Sequence, residues 1–263
     1  MKKGLHPEWL IPQWPAPAHV RAVCTTRAGG QSRPPFDALN LGDHVGDLEA
    51  HVAANRATLQ NAMTAKPVFL SQVHGLGVVA LSHSTPDAQV ADACLSSETQ
   101  LACTIMVADC LPVLLTNRAG TRVAAAHAGW RSLAGESEGG ILESVFKAFS
   151  LADQAGFAVA ASETIAWLGP CIGPECFEVG PDVREAFVKH SPQAQALFSP
   201  HAPGKWLANL PGLARMRLAA LGITEVYGND GSRDWCTVSQ PSRFFSHRRD
   251  GVSGRMAACI WID

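Results

Sequence analysis

Apolar positions along the chain follow two rhythms. Short unbroken runs such as VRAVC (20–24), PVFL (67–70), LACTIMV (101–107), LPVLL (111–115) and MAACIWI (256–262) are bounded by polar or Gly/Pro positions and read as buried strands. GVVALS (77–82), ETIAWL (163–168), FEVG (177–180) and EVYG (225–228) predict further strands. Helical patterning predicts helices over 48–63, 135–150, 207–223 and from Pro181 onward. Pro181 and Pro211 each suit the first turn of their helix, where no N–H is needed. Residues 229–254 read as a polar loop, and the Pro- and Trp-rich residues 1–19 as an irregular arm. Mixed strands and helices in this order predict an α/β (α+β layered) architecture with one domain over 20–263.

Two of these runs are interrupted by polar chemistry. FLSQVHG (69–75) begins apolar and ends on Ser71, Gln72 and His74, groups that cost about 1–3 kcal/mol each if buried without partners. In LPVLLTNRAGTRVAAAH (111–127) the turn NRAG predicts a β-hairpin, with paired residues whose numbers sum to 237 or 238. That register sets Cys110 opposite His127 or one residue away, close enough to share a proton or a metal ion. His74 would complete a Cys/His/His set, which with a fourth position open is the make-up of a catalytic zinc site. The spacing leaves open whether His74 reaches the other two.

With 263 residues and 47% hydrophobic content the chain can bury a full core. A net charge of −2 argues against nucleic acid or anionic membrane as partners. The N-terminus has no apolar signal region, no stretch reaches the length of a membrane span, and the expectation is a cytoplasmic protein with its eight cysteines mostly reduced. Walker and GxGxxG loops are absent. PCIGPEC (170–176) has four residues between its cysteines, not the two of zinc deaminases, so Cys171 and Cys176 read as loop residues.

SQVHG, VADCLPVLL, AAAHAGWRSLAGE, LGPCIGPECFEVG and FFSHRRDGVSGRMAACIWI resemble, in order and spacing, the YfiH-like laccase-domain proteins, from about residue 20 to the C-terminus. That family was once called multicopper polyphenol oxidases and is now regarded as purine nucleoside phosphorylases. The resemblance implies a single α/β domain of cysteine hydrolase-like fold, with His74, Cys110 and His127 as catalytic metal ligands for Zn2+ or Cu2+. It also implies that Ser71 and Gln72 line the same pocket. The stretch HVGD…NR matches His44 to Asp47 and Asn55-Arg56, making Arg56 a candidate phosphate binder, since a guanidinium binds phosphate bidentately. Arg131 is a second candidate, whereas His247 and Arg248 are expected in a solvated loop.

The implied reactions are phosphorolysis of adenosine, inosine, guanosine and methylthioadenosine, and deamination of adenosine. The implied partners are purine nucleosides and phosphate, for a monomer or small homo-oligomer. Laccase chemistry is disfavoured because a multicopper oxidase needs more ligands than these. Two rivals remain at this stage: a metal-free amide hydrolase acting on cell-wall precursors with Cys110 as nucleophile and His127 as its base, and a non-catalytic metal- or nucleoside-binding module.

Overall fold

The computed structural model describes residues 4–136, 139–151 and 158–263. Its strands and helices are, in chain order, β1 (Val20–Cys24), α1 (Glu49–Ala62), β2 (Lys66–Ser71), β3 (Val78–Ala80), β4 (Gln89–Val90), β5 (Ala93–Ser96), β6 (Leu101–Val107), β7 (Leu111–Asn117) and β8 (Val123–Ala128). There follow α2 (Trp130–Ala134), α3 (Ile141–Ser150), β9 (Thr164–Leu168), β10 (Glu178–Val179), α4 (Pro181–Val188), β11 (Phe198–Pro200), β12 (Trp206–Ala208), α5 (Leu210–Ala220), β13 (Glu225–Gly228), α6 (His247–Asp250) and β14 (Met256–Ile262).

Two large mixed sheets, ordered β1-β14-β6-β2-β4 and β13-β9-β7-β8-β5-β3, pack face to face, and a small sheet β10-β12-β11 stands beside them. Between the large sheets lie Leu70, Cys103, Ile105, Leu114, Ala125, Trp167 and Ile260. Alternate residues of the first sheet, including Phe69, Met106 and Cys259, turn the other way onto Leu59 and Met63 at the C-terminal end of α1. Alternate residues of the second sheet, including Val113, Ala124 and Ala166, meet Leu142, Val145, Leu213 and Leu218 of α3 and α5. The result is four layers, helix, sheet, sheet and helices, with every residue of β6, β7 and β8 buried. Strands covered on both faces explain why their sequences are continuously apolar rather than alternating. Each fully buried aliphatic side chain there contributes about 1.5–3 kcal/mol of transfer free energy. The mixed, layered α/β class expected from the element order is the observed one. Strand β1 pairs along its whole length with β14, so residue 20 and residue 262 share one ladder.

Local chemistry sets the element ends. Pro181 and Pro211 sit in the first turns of α4 and α5, and Asn209 caps α5 by accepting the Gly212 N–H at 2.9 Å. The helix expected over 135–150 begins only at Ile141: Gly139 holds φ +113°, and the Glu143 carboxylate accepts the Gly140 N–H at 2.7 Å. Residues 137 and 138 of that expected helix lie outside the described residues. The five-residue α2, the short strands β4, β5, β11 and β12, and α6 inside the polar segment escape periodicity because none is long enough to repeat it.

The hairpin register differs from expectation. Pro112 pairs with His127 and Thr116 with Val123, so paired numbers sum to 239. Asn117 causes the shift: its side-chain carbonyl accepts the N–H groups of Thr121 (2.9 Å) and Arg122 (3.1 Å), drawing both residues into the turn. Extended by one step, this register sets Cys110 opposite Gly129 rather than His127.

Candidate active site

Three strand ends build the site. Cys110 immediately precedes β7, His127 lies in β8, and His74 follows β2 in the other large sheet. Their donor atoms all lie within 4.8 Å of one another, and Cys110 Sγ is 3.7 Å from His74 Nε2. The two imidazoles meet edge to face with centroids 4.7 Å apart. Tetrahedral bonds of about 2.3 Å to sulfur and 2.0–2.1 Å to nitrogen put such donors about 3.5 Å apart. The donor set therefore fits a single ion after small adjustments. Among the described residues no other group of three His, Cys, Asp or Glu converges in this way.

Backbone conformation brings the three together. His74 and Asp109 are non-glycine residues in the left-handed region, at φ +59° and +92°. The buried carboxylate of Asp92 stabilises the first by accepting the N–H groups of Val73 (3.1 Å), His74 (2.9 Å) and Gly75 (2.7 Å). The same carboxylate accepts Nδ1–H of His127 at 2.8 Å, which leaves Nε2 to face the thiol. Asp109 is fixed by the Thr237 hydroxyl (2.5 Å) and the Arg248 N–H (2.7 Å). At Gly129 any side chain would collide with the site: a Cβ would lie 2.8 Å from the His74 ring and 3.1 Å from Cys110 Sγ.

Charge is shared within the cluster. Burial opposes the Cys110 thiolate, but the charge of His127 and hydrogen bonds from His127 and His74 override it and lower the thiol to about 6. Burial likewise opposes the His127 imidazolium, which Cys110 and Asp92 nevertheless raise to about 9. Iodoacetamide alkylation of Cys110 in metal-free protein will accordingly rise to half its maximal rate near pH 6, since only the thiolate reacts. A midpoint near the ordinary thiol value of about 8.5, read by peptide mass spectrometry, would contradict this coupling.

A cleft of about 360 Å3 opens over the three donors. Gln72 and Arg131 line it, Arg131 with its guanidinium 4.3 Å from the Trp130 ring centre. The Gln72 amide itself is engaged, donating to Met106 O at 2.8 Å and accepting Met106 N–H at 2.7 Å. Ser71 is exposed on β2 and does not form part of the cleft wall. Nor does the structure bring Arg56 there: its Nε donates to Leu41 O (3.0 Å), its Nη2 pairs with Asp43 (3.1 Å), and its guanidinium lies 4.1 Å from the Phe69 ring centre. His247 and Arg248, expected in a solvated loop, stand on the cleft wall in α6 because Asp109 anchors that helix by its Arg248 N–H. Sequence reasoning passed over Asp92, Arg255 and the cleft position of His44. Asp92 carried a readable signal, a carboxylate inside the apolar run VADAC, the same kind of interruption that drew notice to His74.

Cys171 and Cys176 are apart from the cluster, Cys171 fully buried and Cys176 half-buried beside Ser239. Replacing both by alanine is expected to leave metal content at the wild-type stoichiometry by elemental analysis. Loss of the metal would show that this loop supplies a ligand.

A layered α/β protein with an open Cys/His/His centre in a cationic cleft is the class that fold and site define. The chain belongs to the multi-copper polyphenol oxidoreductase laccase family, whose model matches residues 21–263. It is 48% identical to a purine nucleoside phosphorylase of Pseudomonas aeruginosa, over 97% of this chain and 98% of that one. It is 47% identical to the purine nucleoside phosphorylase YfiH of Escherichia coli K12, over 96% of this chain and 98% of that one. A crystal structure of a Neisseria meningitidis DUF152 protein superposes with a TM-score of 0.87 at 44% identity, covering 97% of this chain and 99% of its own. No helix among the described residues is long and apolar enough to cross a membrane.

Proposed function

We propose that this chain is a purine nucleoside phosphorylase acting on adenosine, inosine, guanosine and methylthioadenosine, with deamination of adenosine as a second activity. His74, Cys110 and His127 would hold Zn2+ or Cu2+ at its centre. The observation that carries the reading is the meeting of that donor set with a cleft whose wall is cationic and aromatic, and the names of the relatives support it. Arg131, Arg248 and Arg255 stand on the wall with His44 and His247, against Asp109 as the one carboxylate among the described residues.

Arg255 and Arg248 are the phosphate binders on this reading. Arg255 is half-buried, and Nη1 donates to Ser253 O (2.9 Å) and Gly254 O (3.1 Å). Those bonds aim the guanidinium, whose Nε and Nη2 have no protein acceptor among the described residues. Trp130 and Phe177 line the cleft with an arginine over each ring, Arg131 at 4.3 Å and Arg248 at 5.5 Å, and are the aromatic groups that would bound a purine there. Phosphate held at the sugar's C1′ by the arginines, with the base fixed between aromatic walls, turns a bimolecular displacement into a positioned one. A bound metal would supply Lewis-acid polarisation and activate water near neutral pH, the chemistry deamination requires.

With inosine, hypoxanthine and ribose 1-phosphate should form only when phosphate is present, whereas adenosine should also give some inosine without it. Phosphate-independent base release, or no turnover of any purine nucleoside, would refute the reading. Arg255→Ala is expected to weaken phosphorolysis more than deamination, by about 1.5–3 kcal/mol, or ten- to a hundredfold in kcat/KM. Arg56→Ala should depress both reactions alike, because Arg56 is not on the cleft wall but ties together Leu41 and Asp43 and packs on Met106 behind it. Selective loss of phosphorolysis in the Arg56 variant would restore that residue as the phosphate ligand.

One observation favours a second reading. Cys110, His127 and Asp92 form a thiolate, imidazolium and carboxylate sequence suited to metal-free amide hydrolysis, including that of cell-wall precursors. Metal content separates the two, since a thiolate bound to an ion is a poor free nucleophile.

A further inference from the structure

Two loops beside the cleft bring a second pair of cysteines together. Cys236 is buried, and its backbone bridges that of Cys171. Its Sγ accepts the Gly173 N–H at 3.2 Å and the Ser239 N–H at 3.4 Å. Cys176 is half-buried in the tight turn 173–177, whose Cys176 and Phe177 N–H groups both reach Gly173 O, at 3.0 and 3.1 Å. Its Sγ lies 3.4 Å from Ser239 Oγ, so Ser239 touches both sulfurs. A separate open cavity of about 100 Å3 has Cys236 on its wall together with Gly173, Pro174, Arg233 and Ser239.

We infer that Cys236 and Cys176 form a hydroperoxide-reactive thiol pair in which Cys236 attacks the peroxide and Cys176 resolves the product. The cavity brings a small hydroperoxide to the wall on which Cys236, itself buried, stands. The roles follow from unequal surroundings. Burial opposes the Cys236 thiolate, but donors from Ser239 and Gly173, with the Cys176 thiol, overcome it and lower the group below the ordinary thiol value. Cys176 is raised, first by burial and further by the Cys236 charge. A thiolate is the species that peroxide oxidises, so Cys236 reacts first.

In the first step the Cys236 thiolate takes one oxygen from hydrogen peroxide, giving a sulfenic acid and hydroxide. In the second the Cys176 sulfur displaces that oxygen, forming the disulfide and releasing water. Two thiols are thereby oxidised by one peroxide. Cys171 is a poor resolving group: it is fully buried, its thiol reaches Ile172 O at 3.4 Å, and its surroundings push it well above the ordinary value, burial first and the Cys236 charge next. The three sulfurs do not form a converging metal set. Thr237, the next residue after Cys236, is the one whose hydroxyl holds Asp109 beside Cys110.

The test is peptide mapping of the full-length protein after a small molar excess of hydrogen peroxide. In the wild type, the peptide carrying Cys236 should be joined to Cys176 with loss of two hydrogens. Cys171→Ala should keep that bond. Cys176→Ala, at a half-exposed position and checked for native circular dichroism, should lose it and carry a dimedone adduct on Cys236. A wild-type Cys236 left reduced would overturn the inference, as would a bond to Cys171. The wild-type map decides the matter without either variant, and it does not depend on the reaction assigned to the cleft.

Discussion

Cys110→Ala protein will fold, bind no stoichiometric zinc or copper, and lose more than about a hundredfold in both inosine phosphorolysis and adenosine deamination. The size follows from the donor count. Two imidazoles remain, and they lack the anionic charge that both compensates a divalent ion and sustains the His127 imidazolium in its absence. Changes one shell further out already cost 10–100-fold in metal affinity or activity, so a direct ligand should cost more. The fold should survive because Cys110 lies in a loop, half-buried, with none of the strand ladder resting on its side chain. Elemental analysis and the two assays, run beside circular dichroism, are the measurements. A Cys110→Ala protein that keeps its metal would remove this residue as a ligand. Wild-type protein that carries no metal and cleaves an amide would move the weight to the nucleophilic reading.

What the sequence made legible follows from what each residue does locally. The central strands announce themselves because both faces are covered, and the conflict between burial and polarity flags His74 and Cys110 within or beside apolar runs. The register of the β7–β8 hairpin was not legible, since it depends on one side chain, that of Asn117, reaching two N–H groups across the turn. The site forms in spite of that shift because Gly129, opposite Cys110, has no side chain to obstruct it. Arg255 and Arg248 belong to a polar segment without periodicity. Their place on the cleft wall comes from long-range contacts, Asp109 to the Arg248 N–H and Asn40 to the Arg255 N–H at 2.9 Å, that no local pattern encodes. Arg56 shows the reverse: a helical arginine in a motif-like stretch looks available for an anion until Leu41, Asp43 and Phe69 are seen around it.

Asp92→Asn should lower metal affinity by about 10–100-fold while leaving all three donors in place. One carboxylate here does two jobs, holding the left-handed turn at His74 and fixing the His127 ring through Nδ1. An amide has one acceptor oxygen, and its NH2 group would face N–H donors that now point at the second carboxylate oxygen. Part-buried donors left without their acceptor cost less than the about 1–3 kcal/mol of fully buried ones, and the loss should appear as lowered stability at pH 7. The pH dependence has a definite sign. Burial raises the Asp92 carboxyl, but the bonds from His127, Gly75 and Val73 more than reverse that and hold it below the ordinary value. Its contribution is therefore fully present above the unfolded value of about 3.9 and is lost as pH falls through the lower folded value. Urea denaturation across that acid range should show wild-type stability falling towards that of Asp92→Asn, with the gap widest near neutrality. A gap that stays constant with pH, or an Asn variant with wild-type metal affinity, would mean that the three backbone N–H groups and the His127 ring are held by something other than this carboxylate.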